Sequence, residues 1–86
     1  MKIKKDMVLR QVGGDYILVP TGDSVFKFNG LFTLTESAAF IWQHLEQAQT
    51  EQDIVNMMLE EYDAEEEKVR NDVADFLKHL RDMEII

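Results

Sequence analysis

Cysteine is absent from this chain of 86 residues. Disulfides and thiolate chemistry are therefore excluded, which fits a cytoplasmic protein. Glycine occurs four times and is scattered, so no loop has the spacing that cradles phosphate. No apolar run approaches the roughly 20 residues that a membrane span needs. The opening MKIKKDMVLRQVGG is basic but lacks the apolar stretch of a signal peptide. Positive charge is scarce: nine Lys and Arg stand against seventeen Asp and Glu, a formal net charge of −8. Residues 1–34 hold five basic and three acidic side chains, +2, and residues 35–86 hold four and fourteen, −10. An acidic half of this kind repels a phosphate backbone and argues against nucleic-acid binding. Its simplest consequence is solubility, and its sharper one is the steering of a basic partner or peptide.

What is present reads as one small globular domain over residues 1–86, with 45% hydrophobic and 30% charged residues. The organising stretch is GLFTLTESAAFIWQHLEQ, Gly30 to Gln47. Before it, apolar residues alternate as in strands; after it, they recur at helical spacing. The change falls at Thr35-Glu36-Ser37, where Thr35 suits an N-cap and Glu36 suits the positive end of the helix dipole. The only tryptophan, Trp42, falls on the apolar stripe of this helix and anchors the predicted core.

Taken in order, Met1–Lys5 reads as a mobile basic lead. Met7–Val12 and Tyr16–Pro20 read as strands joined through Gly13-Gly14-Asp15 in an antiparallel hairpin. Pro20, the single proline, marks a strand end. Val25–Phe28, Asn29-Gly30 and Leu31–Leu34 fit either a tight turn between two short strands or one longer strand interrupted by a bulge. A second helix follows Thr50, with Asp53 completing a capping box, and carries Ile54, Val55, Met58, Leu59 and Tyr62. Asp63 is placed to begin a third helix, with Glu66 at capping-box distance; Val69, Val73, Phe76, Leu77, Leu80 and Met83 follow in phase. Ile85 and Ile86 end the chain and are expected to pack on the sheet. The methionines Met57, Met58 and Met83 read as core.

No catalytic constellation emerges. His44 and His79 lie on different predicted helices without metal-ligand spacing, and read as solvent-facing or partly packed. Ser24 and Ser37 have no partner pattern. The carboxylates cluster at helix starts, where the dipole accounts for them. The chain thus reads as a binder rather than an enzyme, with no cofactor or metal. The fold class is α+β: a three-stranded antiparallel sheet followed by three α-helices, winged-helix-like. An open strand edge beside a helix can accept an extended peptide as a further strand. A helix-turn-helix reading fails on charge, because the third helix mixes Lys68, Arg70, Lys78 and Arg81 with six carboxylates.

Four features agree along nearly the whole chain: a hairpin ending in YILVPTG, a strand running into LTESAAFIWQHLE, a T-E-x-D-I helix closing in L-E-E-Y-D, and a last helix with N-D-V-A-D-F-L-K-H-L and a short apolar tail. This pattern resembles the PqqD-like family, named for a small protein of pyrroloquinoline quinone biosynthesis, whose members are also called RiPP recognition elements. The resemblance implies a non-catalytic module that binds the leader of a ribosomally made precursor peptide by strand addition and presents it to a modifying enzyme, often a radical S-adenosylmethionine enzyme. It places the peptide on the third strand, Leu31, Phe32, Thr33 and Leu34, in a groove against the third helix. The candidate groove residues of that helix are Arg70, Val73, Ala74, Leu77, Lys78 and Arg81; which of them face the groove depends on helix rotation. The sequence departs from the founding member by extra length at Thr21–Gly30. A structural or regulatory interaction protein of the same fold, including a homodimer formed through the same edge, is the alternative reading.

Overall fold

The computed structural model describes residues 1–26 and 32–86. In order these form β1 (Met7–Val12), β2 (Asp15–Pro20), a short 3-10 helix (Gly22–Phe26), β3 (Phe32–Leu34), α1 (Glu36–His44), α2 (Glu51–Glu61) and α3 (Glu66–Asp82). The fold is therefore α+β, a three-stranded antiparallel sheet in the order β1-β2-β3 followed by three helices. The two-residue turn between Val12 and Asp15 puts a positive φ of 63° at Gly13, the first central position, where a II′ turn requires it. Of the ambiguous stretch Val25–Phe28, the first two residues close the 3-10 helix; the remainder, with Asn29, Gly30 and Leu31, lies outside the described residues.

Strand alternation divides the sheet into two faces. Leu9, Leu18, Phe32 and Leu34 point inward and pack on the helices, whereas Val8, Arg10, Val12 and Thr33 point outward. The core joins Leu18 to Ile41, Trp42 and Leu45, then to Ile54, Val55 and Met58 of α2 and to Val69, Val73, Leu77 and Leu80 of α3. Trp42 is buried, as its place on the stripe predicts. Met58 is buried, and Met57 and Met83 pack at the core margin.

Caps fix the helix phases. A single residue, Thr35, joins β3 to α1; its hydroxyl accepts from the Ala38 amide at 3.1 Å. The capping box of α2 is complete. Thr50 Oγ1 accepts from the Asp53 amide, and the Asp53 carboxylate accepts from the amides of Gln49 and Thr50 at 3.0 and 3.1 Å. Those backbone donors hold the Asp53 pKa below its usual value. The start of α3 differs from the expectation. Glu65, not Asp63, is the N-cap, and it makes no side-chain cap bond. The reason lies in the preceding helix: α2 runs to Glu61 and Tyr62 is extended, so the chain needs 63–65 to reverse before a new helix can pack.

The two chain ends are tied to the body. At the end of α3, Glu84 takes a left-handed φ of 59°, the Glu84 amide donates to Arg81 O at 2.9 Å and the Ile85 amide to Leu80 O at 2.8 Å. This is a Schellman motif, and it turns Ile85 into the core that the inner face of the sheet shares, with Ile86 packed at its margin. The lead Met1–Lys5, expected to be mobile, makes backbone contacts with the body of the fold. The Met1 amino group donates to the carbonyls of Leu45 (2.5 Å) and Ala48, and the Lys4 amide donates to Ile85 O at 2.7 Å. Ser24, without an apparent role in the sequence, is buried and accepts the Asp6 amide at 2.9 Å, pinning the 3-10 helix to the start of β1.

Candidate functional site

The register of the hairpin decides what β3 offers to a partner. In a two-residue hairpin the flanking pair, Val12 and Asp15, exchanges both backbone hydrogen bonds, and bonded pairs then recur at every second residue. Asp15, Ile17 and Val19 therefore turn their amides and carbonyls toward β1. Tyr16 and Leu18 turn theirs toward β3, where they face Leu34 and Phe32. Thr33, opposite Ile17, is left with its N–H and C=O pointing away from β2. Since β3 ends the strand order, this amide and carbonyl lie on an edge that no described strand covers. A sheet edge with unpaired groups is a template for a further strand.

Beside that edge runs an open groove of about 510 Å³. Thr33, Leu34 and Thr35 form one wall; Ser37, Ala38 and Ile41 of α1 form the floor; Lys68, Asp72, Asp75 and Phe76 of α3 form the other wall. The floor stays in register with the strand because one residue alone separates β3 from α1. A smaller depression of about 240 Å³ adjoins it, sharing Ser37, Lys68 and Asp72 and reaching Tyr62. Burial, reinforced by the negative charges of Glu36 and Glu61, pushes the Tyr62 phenol above its usual pKa, so it stays neutral. The Tyr62 ring meets Phe40 edge-on at 5.5 Å, and His44 stacks on Phe40 at 4.1 Å. His44 Nδ1 and His79 Nδ1 each donate to the carbonyl four residues back, at 2.8 Å. Both histidines close helix ends. Among the described residues no three acidic, histidine or cysteine side chains converge as a metal site.

The candidate residues fall into three places. Thr33 and Leu34 line the groove, and Phe32 sits next to them, packed against the core. Leu31 lies outside the described residues. Val73 and Leu77 are fully buried in the core and do not line the groove. Arg70, Ala74, Lys78 and Arg81 follow one another at i, i+4, i+8 and i+11, a single stripe on the other flank of α3. There Arg70 pairs with Glu66 at 3.6 Å and Lys78 with Asp82 at 2.9 Å; Arg81 comes within 4.0 Å of Glu51 on α2. The groove stripe, Lys68, Asp72, Asp75 and Phe76, was not singled out from the sequence, where Phe76 counts with the core positions and no feature says which phase meets β3. All four cations of α3 are matched by carboxylates, since Lys68 pairs with Asp72 at 3.1 Å. That surface is ill suited to a phosphate backbone.

The family model of coenzyme PQQ synthesis protein D (PqqD) matches residues 8–86. This chain belongs to the PqqD family. Among solved structures it is similar to TbiB1 in complex with the TbiA(beta) leader peptide. The TM-score is 0.73 at 26% identity, over 99% of this chain and 93% of that one. No curated protein matches. The match of the PqqD model begins at Val8, inside β1, and takes in β2, β3, all three helices and the groove between them.

Proposed function

We propose that this PqqD-family protein is a non-catalytic peptide chaperone: it binds the leader of a ribosomally made precursor peptide as a fourth strand on β3 and presents it to a modifying enzyme. The observation that carries this reading is the outward N–H and C=O of Thr33 beside the groove between β3 and α3. Membership of the PqqD family supports it, as does similarity to a protein solved with a leader peptide. Main-chain pairing at the edge supplies affinity, and the groove supplies pockets for alternate side chains. Leu34, Phe76 and the groove-floor residues Ser37 and Ala38 of α1 bind and orient the peptide. No residue of the site forms or breaks a bond in this mechanism. The modifying enzyme, a radical S-adenosylmethionine enzyme by family precedent, performs the chemistry.

The open edge also admits a second copy of the chain, which is the competing reading. One experiment separates the two. Tagged protein and a Thr33→Pro variant are used to capture partners from the native host lysate, with mass spectrometry extended to small peptides. Proline removes the outward amide yet suits an edge strand. Phe32→Pro is the poorer probe, because Phe32 pairs with Leu18 and its loss would damage the sheet itself. The expected result is a short gene-encoded peptide, with its modifying enzyme, retained by the parent protein and lost from the folded variant. Equal retention of the peptide by folded Thr33→Pro overturns strand addition. Recovery of the protein itself alone replaces the chaperone reading with self-association.

A further inference from the structure

The groove has a charge, and the alternation of an added strand decides which peptide side chains meet it. In a peptide paired to β3, successive side chains point to opposite faces. Those on the face of Phe32 and Leu34 turn toward α1 and α3, and those on the face of Thr33 turn to solvent. Inward positions recur about every 6.8 Å, twice the strand rise, while α3 rises about 5.4 Å per turn, so two inward residues address two turns of the helix. Part of the groove is apolar, around Leu34, Ile41 and Phe76. Its α3 rim is acidic. The Lys68 ammonium lies 3.1 Å from the Asp72 carboxylate and offsets it, whereas Asp75 is exposed and has no ion-pair partner among the described residues. This rim sits in the half of the chain with a formal charge of −10. Local and overall fields therefore have the same sign, and both disfavour an acidic peptide.

We propose that the groove selects an extended peptide in which an apolar side chain and a lysine or arginine occupy alternate, inward-facing positions. The apolar side chain rests on Phe76 and Leu34, and the cation lies against Asp75 at the rim. This rests on the strand-addition reading and adds the chemistry of the ligand to it. It also assigns the acidity of the helical half a role beyond solubility: a basic leader is drawn to the groove before it pairs.

The test is selection from a displayed library of random peptides about ten residues long, enough for a strand of the usual five to six. It is run on the parent protein, on Thr33→Pro and on Asp75→Lys, the last being a surface change to a better helix former. Enriched peptides should place Lys or Arg two positions from an apolar residue. In synthetic copies, replacing that cation with Glu should weaken binding about fivefold, less at high salt. On Asp75→Lys the preference at that position should turn to Asp or Glu. Peptides that depend on Thr33 but show no charge preference, or keep it on Asp75→Lys, overturn the proposal and leave strand addition standing. Enrichment that is the same on folded Thr33→Pro, or no enrichment at all, overturns strand addition and this proposal with it.

Discussion

Both flanks of α3 carry charged residues, yet only one of them faces β3. The flank toward the groove carries Lys68, Asp72, Asp75 and Phe76; the flank toward α2 carries Arg70, Ala74, Lys78 and Arg81. The first has one cation and two carboxylates; the second has three cations, whose partners Glu66, Asp82 and Glu51 lie beside it. On the α2 flank the charges pair along the helix or reach Glu51, contacts worth only about 0.3–0.5 kcal/mol each on a solvated surface. On the groove flank one carboxylate is left over and an aromatic ring is half-buried. The lesson is that the presence of charged residues does not by itself mark a binding face on a helix. Its phase relative to the neighbouring strand does.

The contrast can be broken most forcefully at the ridge between the flanks. Leu77 is fully buried there, and Leu77→Ala should cost about 2–5 kcal/mol in urea unfolding, a large part of the stability of so small a protein. A loss below about 1 kcal/mol would mean that Leu77 is not the packed core residue described. A smaller effect sharpens the contrast directly. Phe76→Ala should weaken binding of a selected library peptide about tenfold, while Arg81→Ala on the other flank leaves it within about twofold. The reverse order would mean that the peptide lies on the α2 side.

The smallest effect is set by pH. The Asp53 pKa is lowered in the fold, so its contribution is present above the ordinary carboxylate value of 3.8 and is lost as pH falls through the lower folded value. Below pH 4, amides of the first turn of α2 should gain exchange before those of α3 that line the groove. Simultaneous loosening of both would show that the α2 cap and the groove wall unfold as one unit.

The strands, the capping box of α2 and the burial of Trp42 were legible because each depends on local chemistry: alternation, a hydroxyl three residues from a carboxylate, a single large apolar side chain. The start of α3 was not, although Asp63 and Glu66 have capping-box spacing. Spacing cannot report that α2 keeps the chain helical to Glu61 and leaves no room for a cap at Asp63. The lead Met1–Lys5 misled for a similar reason. Its lysines suggest solvent, but its backbone finds carbonyls at the ends of α1 and of the chain. Ser24 had no sequence signal at all, since its partner, the Asp6 amide, is brought to it by the fold.

For the site, the order of residues alone is enough to show that β3 runs straight into α1, that Thr33 sits between two apolar residues, and that the helical half is acidic. These follow from periodicity and composition, which are properties of neighbours along the chain. That Thr33 turns its amide to the open edge needs the folded sheet, because it follows from the register of the hairpin formed by β1 and β2. The fold also decides which stripe of α3 meets that edge. The rotation of α3 is fixed by Val69, Val73, Leu77 and Leu80 packing on α1 and α2. Burying those four puts Asp72, Asp75 and Phe76 beside the strand and sends Arg70 and Arg81 to the far side.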